Sequence, residues 1–413
     1  MKKLISVLLI IALLFLFIPQ QVVSGASADA YLIATNPGED TTKEMNVIWH
    51  TTITGTFVEY TTKDDTGFAS ATQVAGQCQA ITYRDQGISA DITDYKCEAT
   101  LTNLASDTEY IYHIGKTNFS AFYSFMTSGT SAFTFLYFSD VHAYTPIPSR
   151  VDAAQRLVTA IESKYRNLKL VVTGGDMTAY GTYRDQWTSY YGLSMFSKYV
   201  VASTPGNHEY YHIADDKAVM GVDGEKYFNM YTNNPKNGAV GVKNTTYYFT
   251  YGNVLFISLN SEAYRIANQP AAYAENQRVW LEEVLANNPS QYTVIFHHAP
   301  HYGGAAVTSS MWDLQPIMDK YGVDLVLNGH DHVYTRSNRI YNGDNCSDSK
   351  KGAIYITGSA IGDRWALEEV LSTDKYVAKK IANDVSLAMG ITVSNDYMMV
   401  KTYNETGVIV DQV

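Results

Sequence analysis

Seven of the ten histidines in this 413-residue sequence stand in short polar motifs, and each motif follows an apolar run. Asp140-x-His142 follows Phe133–Ser139, and Gly174-Gly175-Asp176 follows Leu168–Thr173. Gly206-Asn207-His208-Glu209 follows Val200–Thr204, His297-His298 with nearby His301 follows Tyr292–Phe296, and Asn328-Gly329-His330-x-His332 follows Val323–Leu327. An Asp-x-His pair alone means little, but core histidines scattered by chance would not collect at successive strand ends beside Asp140, Asp176 and Asn207. Imidazole and carboxylate together are the ligands of borderline divalent or trivalent metals, not of Ca²⁺ or Mg²⁺ alone. The donors suffice for two ions sharing one carboxylate, a spacing of about 3.5–4 Å in sites of that kind.

The elements that must present these groups alternate. Strands are expected at the five runs above and at Val254–Leu259, with helices at Ser149–Lys164, Tyr183–Phe196, Ala271–Asn288 and Trp312–Tyr321. Such alternation describes an α/β region with ligands at the carboxyl ends of its strands. The stretch 210–250, rich in Tyr, Asn, Gly and Asp, is expected to hold a partly helical insertion near Ala218–Phe228 and a strand at Thr245–Thr250. The tail from residue 351 returns to strands at Ala353–Gly358, Ser386–Val393, Tyr397–Tyr403 and Gly407–Val410.

Upstream of a small-residue linker, Ser128-Gly129-Thr130-Ser131, the pattern is short strands without a helix: Met45–His50, Gly55–Tyr60, Gly76–Tyr83, Tyr95–Leu101, Glu109–Ile114 and Ala121–Met126. This predicts a β-sandwich over 29–128, with a phrase from Leu101 to Tyr110 that resembles the end of a fibronectin type III-like domain. His50 and His113 read as structural. Lys2 and Lys3, the apolar run Leu4–Ile18 and Ala26-Ser27-Ala28 predict a removed signal peptide over 1–28, hence a secreted or extracytoplasmic protein. Its loss would take the formal charge from -11 to -13, and no basic cluster points to nucleic acid. Cys78 and Cys97 are close enough in sequence to pair in an oxidising compartment, with Cys346 left odd. Walker, dinucleotide and nucleophile-elbow motifs are absent, and Gly174-Gly175 reads as the tight turn that presents Asp176.

In order along the chain, Asp140-x-His142, Gly175-Asp176, Gly206-Asn207-His208-Glu209, Val294-x-x-His297 and Gly329-His330-x-His332 resemble the motifs of the calcineurin-like metallophosphoesterase superfamily. The β-rich N-terminal region, Tyr334 and the length are similar to the purple acid phosphatase branch. The resemblance implies a four-layer αββα catalytic domain over 129–413. It implies one metal held by Asp140, His142, Asp176 and His332, and a second by Asp176, Asn207, His297 and His330. His208 matches the family's non-ligand histidine, which contacts the phosphoryl group or protonates the leaving alcohol. Glu209 would orient that neighbourhood, and His301, in a glycine-containing loop at the same rim, would contact substrate or only solvent. His298 is the next ligand candidate after His297 and is otherwise expected to face the pocket or contact phosphate. Tyr334 and Arg336 would pack the loop or approach phosphate.

One departure bears on the metals. The purple branch commonly carries a ligating tyrosine where this chain has Ala179, with Tyr180 one residue late, and an Asp-x-Gly first motif where this chain has His142. The expected centre is therefore not purple, with Fe/Zn, Fe/Mn, Zn/Zn or Mn/Mn all compatible with the ligands. The expected activity is a metal-dependent phosphoric ester hydrolase, an acid-phosphatase-like phosphomonoesterase acting on small phosphorylated molecules. A phosphodiesterase or nucleotide phosphatase is the alternative, and a binding protein with a degenerate metal site is the non-enzymatic reading.

Overall fold

The computed structural model describes residues 27–214, 217–221, 224–265, 270–302, 309–362, 375–382 and 385–413. All but the last two residues of the expected signal peptide, and Gly303-Gly304 beside His301, lie outside these residues.

Two sheets form the centre of the α/β region. The first orders Ile409–Gln412, Met398–Asn404, Leu387–Val393, Phe133–Phe138, Leu168–Thr173 and Val200–Ser203, the last three mutually parallel. The second orders Tyr247–Tyr251, Val254–Ser258, Tyr292–Phe296, Leu325–Asn328, Ala353–Thr357 and Tyr334–Tyr341. In this sheet Val254–Ser258, Tyr292–Phe296, Leu325–Asn328 and Ala353–Thr357 run parallel.

The period-two alternation of the strands assigns each side chain to a layer. Phe135 and Tyr137 of the first sheet meet Val294, Phe296, Leu325 and Leu327 of the second in one core between the sheets. The residues between them face outward. Leu136, Phe138 and Val171 pack under the helices Ser149–Glu162 and Arg184–Tyr191. Ile257, Ile295 and Val326 pack under Ala272–Asn287 and Gln315–Tyr321. The layers are therefore helix, sheet, sheet, helix. The helix expected over Tyr183–Phe196 is broken after Tyr191 and resumes as a 3₁₀ turn at Ser194–Ser197. The expected insertion near Ala218–Phe228 begins instead as a hairpin of Tyr211–Ala214 and Lys217–Met220 before the helix Gly224–Met230.

The N-terminal region is a sandwich of Ala30–Pro37, Met45–Thr51, Ala90–Leu101 and Gln77–Asp85 against Thr72–Ala75, Phe57–Thr62, Glu109–Gly115 and Tyr123–Met126. Trp49, Val58, Tyr112, Ile114 and Phe125 fill it. Tyr110 packs into its edge and its hydroxyl accepts the Ala105 N–H at 2.9 Å. Cys78 and Cys97 face each other across adjacent antiparallel strands and form a disulfide; Cys346 is free. Ala30–Pro37 is a strand that the sequence pattern does not announce. It pairs in parallel with Val200–Ser203, which makes the sandwich sheet continuous with the first central sheet. Asn36 fastens the junction, donating to the Val201 carbonyl at 2.7 Å and accepting the Asn233 N–H at 2.8 Å.

Candidate metal centre

At the carboxyl ends of the parallel strands the loops continue to pair after the strands stop. Asp140 N–H donates to the Gly175 carbonyl, His142 N–H to the Asp176 carbonyl and Ala143 N–H to the Met177 carbonyl, at 2.8–3.0 Å. These contacts hold the first two motifs side by side. Asp140, His142, Asp176, His330 and His332 all have left-handed backbone, with φ between 47° and 75°. A non-glycine residue in that region costs on the order of 1 kcal/mol or more, and such strain concentrates at functional sites. Gly175 shares it at φ 90°, and a Cβ there would lie 2.7 Å from both the Gly206 nitrogen and His298 Nδ1. The glycine is thus required by backbone angle and by close approach.

Two donor clusters result, and they share Asp176. Asp140, His142, Asp176 and His332 bring one ligand atom each within 4.8 Å of one another, as do Asp176, His298 and His330. His142 Nε2 and His298 Nε2 both lie 3.1 Å from Asp176 Oδ2, and His332 Nε2 lies 3.6 Å from Asp140 Oδ1. Asn207 Oδ1, 3.1 Å from His298 Nε2, adds an oxygen donor to the second cluster. The carboxylates are aimed by backbone donors: His208 N–H to Asp176 Oδ1 at 2.8 Å, and His330 N–H to both Asp140 oxygens at 3.0 Å.

The electrostatics fit cations. Asp140 and Asp176 are buried together with no lysine or arginine among their ion-pair partners in the described residues. Burial pushes Asp140 up to about 7, the Asp176 charge adding to it. Asp176 is held well below the usual carboxylate range, because His298, His208 and His142 outweigh its burial. Burial works against the charged form of His298, yet Asp176 drives it up to about 10. Shared protons are a poor solution for buried carboxylates and imidazoles this close, and the donor set is of the kind that would hold a pair of borderline metal ions.

Several expected residues fall elsewhere. His297 is not in either cluster. Alternation sends Val294, Phe296 and His298 toward the space between the sheets, and Ile295 and His297 toward the helix side. There the His297 ring meets the His301 ring edge-on at 5.0 Å, and its carbonyl accepts from Asn328 Nδ2 at 3.0 Å. His298 takes the place assigned to His297, and the continued period-two pattern was the signal for it. His301 is likewise a core residue and not a substrate contact. Its Nε2 meets the Met311 carbonyl at 2.8 Å, its ring packs on Tyr355, and burial brings its pKa down to about 4.

Glu209 is fully buried and reaches no substrate position. Its two oxygens accept four backbone N–H groups, from Gly206 (2.7 Å), Asp176 (3.0 Å), Met177 (2.9 Å) and Thr178 (3.2 Å). It is a positioning residue that ties the second motif to the third. Burial, then the Asp176 charge, pushes its pKa up to about 8 against these hydrogen bonds. Tyr334 and Arg336 turn to the first sheet and bind Asp411 at 2.9 and 2.7 Å, away from the clusters. Tyr180 packs on Tyr183 and Tyr144, with ring centres 5.2 and 6.1 Å apart. His208 stays partly exposed at the mouth: its Nδ1 meets the Ala179 carbonyl at 2.8 Å and its Nε2 lies 3.9 Å from Asp176 Oδ2.

Residues 133–334 match the family model described as calcineurin-like phosphoesterase, and residues 32–127 match the purple acid phosphatase N-terminal domain. Among curated relatives, purple acid phosphatase 15 of Arabidopsis thaliana is 32% identical over 198 residues, 44% of this chain and 33% of that protein. The uncharacterized protein Rv2577 of Mycobacterium tuberculosis is 26% identical over 337 residues, 73% of this chain and 61% of that protein. The chain thus spans only a third to three fifths of the length of these relatives. Among solved structures, the purple acid phosphatase PPD1 from yellow lupin (Lupinus luteus) seeds superposes with a TM-score of 0.74 at 18% identity, covering 93% of this chain and 74% of that one. Layers, shared bridging aspartate and matches together give the chain a calcineurin-like metallophosphoesterase fold related to the purple acid phosphatase branch, with candidate residues for a dinuclear metal site.

Proposed function

We propose that the chain is a two-metal phosphoesterase that hydrolyses small phosphate monoesters in the manner of an acid phosphatase. The observation that carries this reading is the pair of donor clusters joined at Asp176. Asp140, His142, Asp176 and His332 would hold one ion, and Asp176, Asn207, His298 and His330 the other. When bound, such a pair neutralises phosphoryl oxygens and lowers the pKa of water enough to supply hydroxide near neutral pH.

The chain's own residues do the rest. His208 Nδ1 faces the Ala179 carbonyl, an acceptor, so the proton sits on Nδ1 in the neutral ring. Its Nε2 is thereby directed at the cluster, where the protonated ring can give a proton to the departing alcohol oxygen. Glu209 keeps the Asp176 loop and the His208 loop in register. His142 stands on the ion that a tyrosine would hold in the purple branch, so the loaded protein should lack an intense purple band in its visible spectrum. The Cys78–Cys97 disulfide supports an oxidising, extracytoplasmic location.

A second reading, a phosphodiesterase or nucleotide phosphatase, is favoured by the half-exposed Tyr144, Tyr180 and Tyr183, whose rings pack in a row centred on Tyr180, one residue after Ala179, the partner of His208, and could stack an organic group. The test is elemental analysis of wild type and Asp176→Asn, with rates on a simple monoester and its matched diester. Loss of metal with a fall of about 100-fold or more is expected for the variant. Unchanged hydrolysis in a variant that has lost its metals would sink the two-metal reading, and a faster diester reaction would reverse the ranking of substrates.

A further inference from the structure

We propose that Arg265 is a phosphate-binding residue of this site, its guanidinium placed beside His330 to grip a phosphoryl oxygen of the substrate; this rests on the phosphoesterase reading above. Val254–Ser258 runs parallel to Tyr292–Phe296, so its end opens at the same edge as the second cluster. The chain then passes through Asn260 and Ser261 into a short helical turn, Glu262–Arg265.

That turn is fastened on three sides. Asn260 Oδ1 accepts the N–H groups of Glu262 and Ala263 at 3.0 and 3.3 Å. Asn260 Nδ2 donates to the Tyr210 hydroxyl at 2.9 Å and to Thr245 Oγ1 at 3.0 Å. Ser261 Oγ accepts the Ala299 N–H at 3.0 Å. Arg265 therefore projects from an element locked to the residues next to Glu209 and next to His298, which is how a rigid substrate contact is built.

The guanidinium itself is divided between two tasks. Nη1 donates to Glu262 Oε1 at 3.2 Å, and Glu262 is fully buried. Nη2 lies 2.8 Å from His330 Nε2, within the second cluster, while the arginine side chain keeps 24% of its surface exposed. The Glu262 pair fixes one arm of the guanidinium, and the hydrogen bond to His330 sets the other arm at the edge of the cation site. Positive charge at the edge of such a site is stabilised by an anion that both can share. A guanidinium has five N–H donors in a planar fork suited to phosphoryl oxygens, and the contacts above use two of its nitrogens. Across the mouth Tyr211 packs on His208 at 4.6 Å, and the Arg265 charge opposes the burial that raises its phenol pKa.

The test uses the full metal-loaded chain with inorganic phosphate as the probe, titrated by calorimetry, alongside elemental analysis and thermal melting. Arg265→Ala should keep the metals and the melting temperature of wild type while weakening phosphate binding about 10- to 100-fold, the loss of a charge-assisted hydrogen bond. Arg265→Lys should fall between the two, and KM for a monoester should rise more than kcat falls. Phosphate affinity within twofold of wild type in a metal-replete Arg265→Ala overturns the proposal and leaves Arg265 a brace for His330. Loss of metal in Arg265→Ala overturns it too, making the residue a positioning group for the ion. A wild type that binds phosphate normally while the variant matches it sinks only the arginine, whereas a wild type that takes up neither metal nor phosphate sinks the phosphoesterase reading with it.

Discussion

Glu209→Gln should be among the most damaging single-atom changes available to this protein. Oε1 accepts from Met177 and Thr178, and Oε2 accepts from Gly206 and Asp176. A carboxyl group, charged or neutral, offers lone pairs on both oxygens; an amide offers them on one atom only. Whichever way the new amide turned, its NH₂ would face two backbone N–H donors in a place closed to solvent. Two hydrogen bonds are lost and two buried donors are left unsatisfied, at about 1–3 kcal/mol each, so the expected loss is roughly 2–6 kcal/mol. The same bonds hold the Asp176 backbone and the Gly206 turn, so the fall in stability should come with reduced metal content. Denaturant unfolding and elemental analysis of both proteins measure this. A variant within about 1 kcal/mol of wild type and with full metal content would refute the idea that Glu209 is the clamp between the two loops.

Three further outcomes follow from particular contacts. His298→Ala should lose the second metal, whereas His297→Ala should keep both ions and lower stability by packing alone; the reverse pattern in elemental analysis would restore the Val-x-x-His assignment. Burial opposes ionisation of Asp411, but hydrogen bonds from Arg336 and Tyr334 outweigh it and lower its pKa. Its stabilisation is therefore present above the unfolded carboxylate value of about 3.9 and disappears as pH falls through the folded value, so Asp411→Asn should cost about 1–3 kcal/mol at pH 7 and progressively less as pH falls below about 3.9, read by denaturant unfolding along that series. The Cys78–Cys97 bridge closes a loop with a sequence separation of 19. Replacing both cysteines by serine should lower stability by about 3 kcal/mol while leaving the metal content unchanged, which melting and elemental analysis check.

Much of the architecture was legible in the chain because apolar runs of five or six residues ending on Asp, Asn or His leave few readings other than buried strands with a mouth. What escaped did so for definable reasons. Ala30–Pro37 is recognisable only through its neighbours: its parallel partner, Val200–Ser203, lies far along the chain, and local pattern carries no trace of the pairing. Motif spacing favours His297 over His298, whereas the alternation of the strand itself points the other way. Val294 and Phe296 face inward, so the next residue of that parity is His298. His301 looked like a rim residue because a proline and glycines surround it, but its imidazole found a backbone carbonyl inside. Glu209 could be recognised as important from its neighbours, not as a clamp, because three of its four N–H partners come from around Asp176, more than thirty residues earlier.

The placement of the centre follows from how the two sheets meet. Stacked sheets lie about 10 Å apart, so a centre between them must draw its donors from both faces at a point that the core leaves open. Between the strands the space is filled by large groups: Phe135 meets Phe256 at 5.2 Å, and Tyr137 and Tyr247 span the sheets to the Asn328 and Ser203 carbonyls at 2.8 Å each. Donors can converge only beyond the last of these, where the chain is no longer obliged to be extended. There Asp140, His142, Asp176, His330 and His332 adopt left-handed backbone and turn the loops of opposite sheets toward each other. Each cluster accordingly draws on both: Asp140, His142 and Asp176 with His332 across the gap, and Asp176 with His298 and His330 across it. The backbone strain and the site are one feature, because the bend that costs energy in each loop is what brings short side chains from separate sheets close enough to hold a single cation between them.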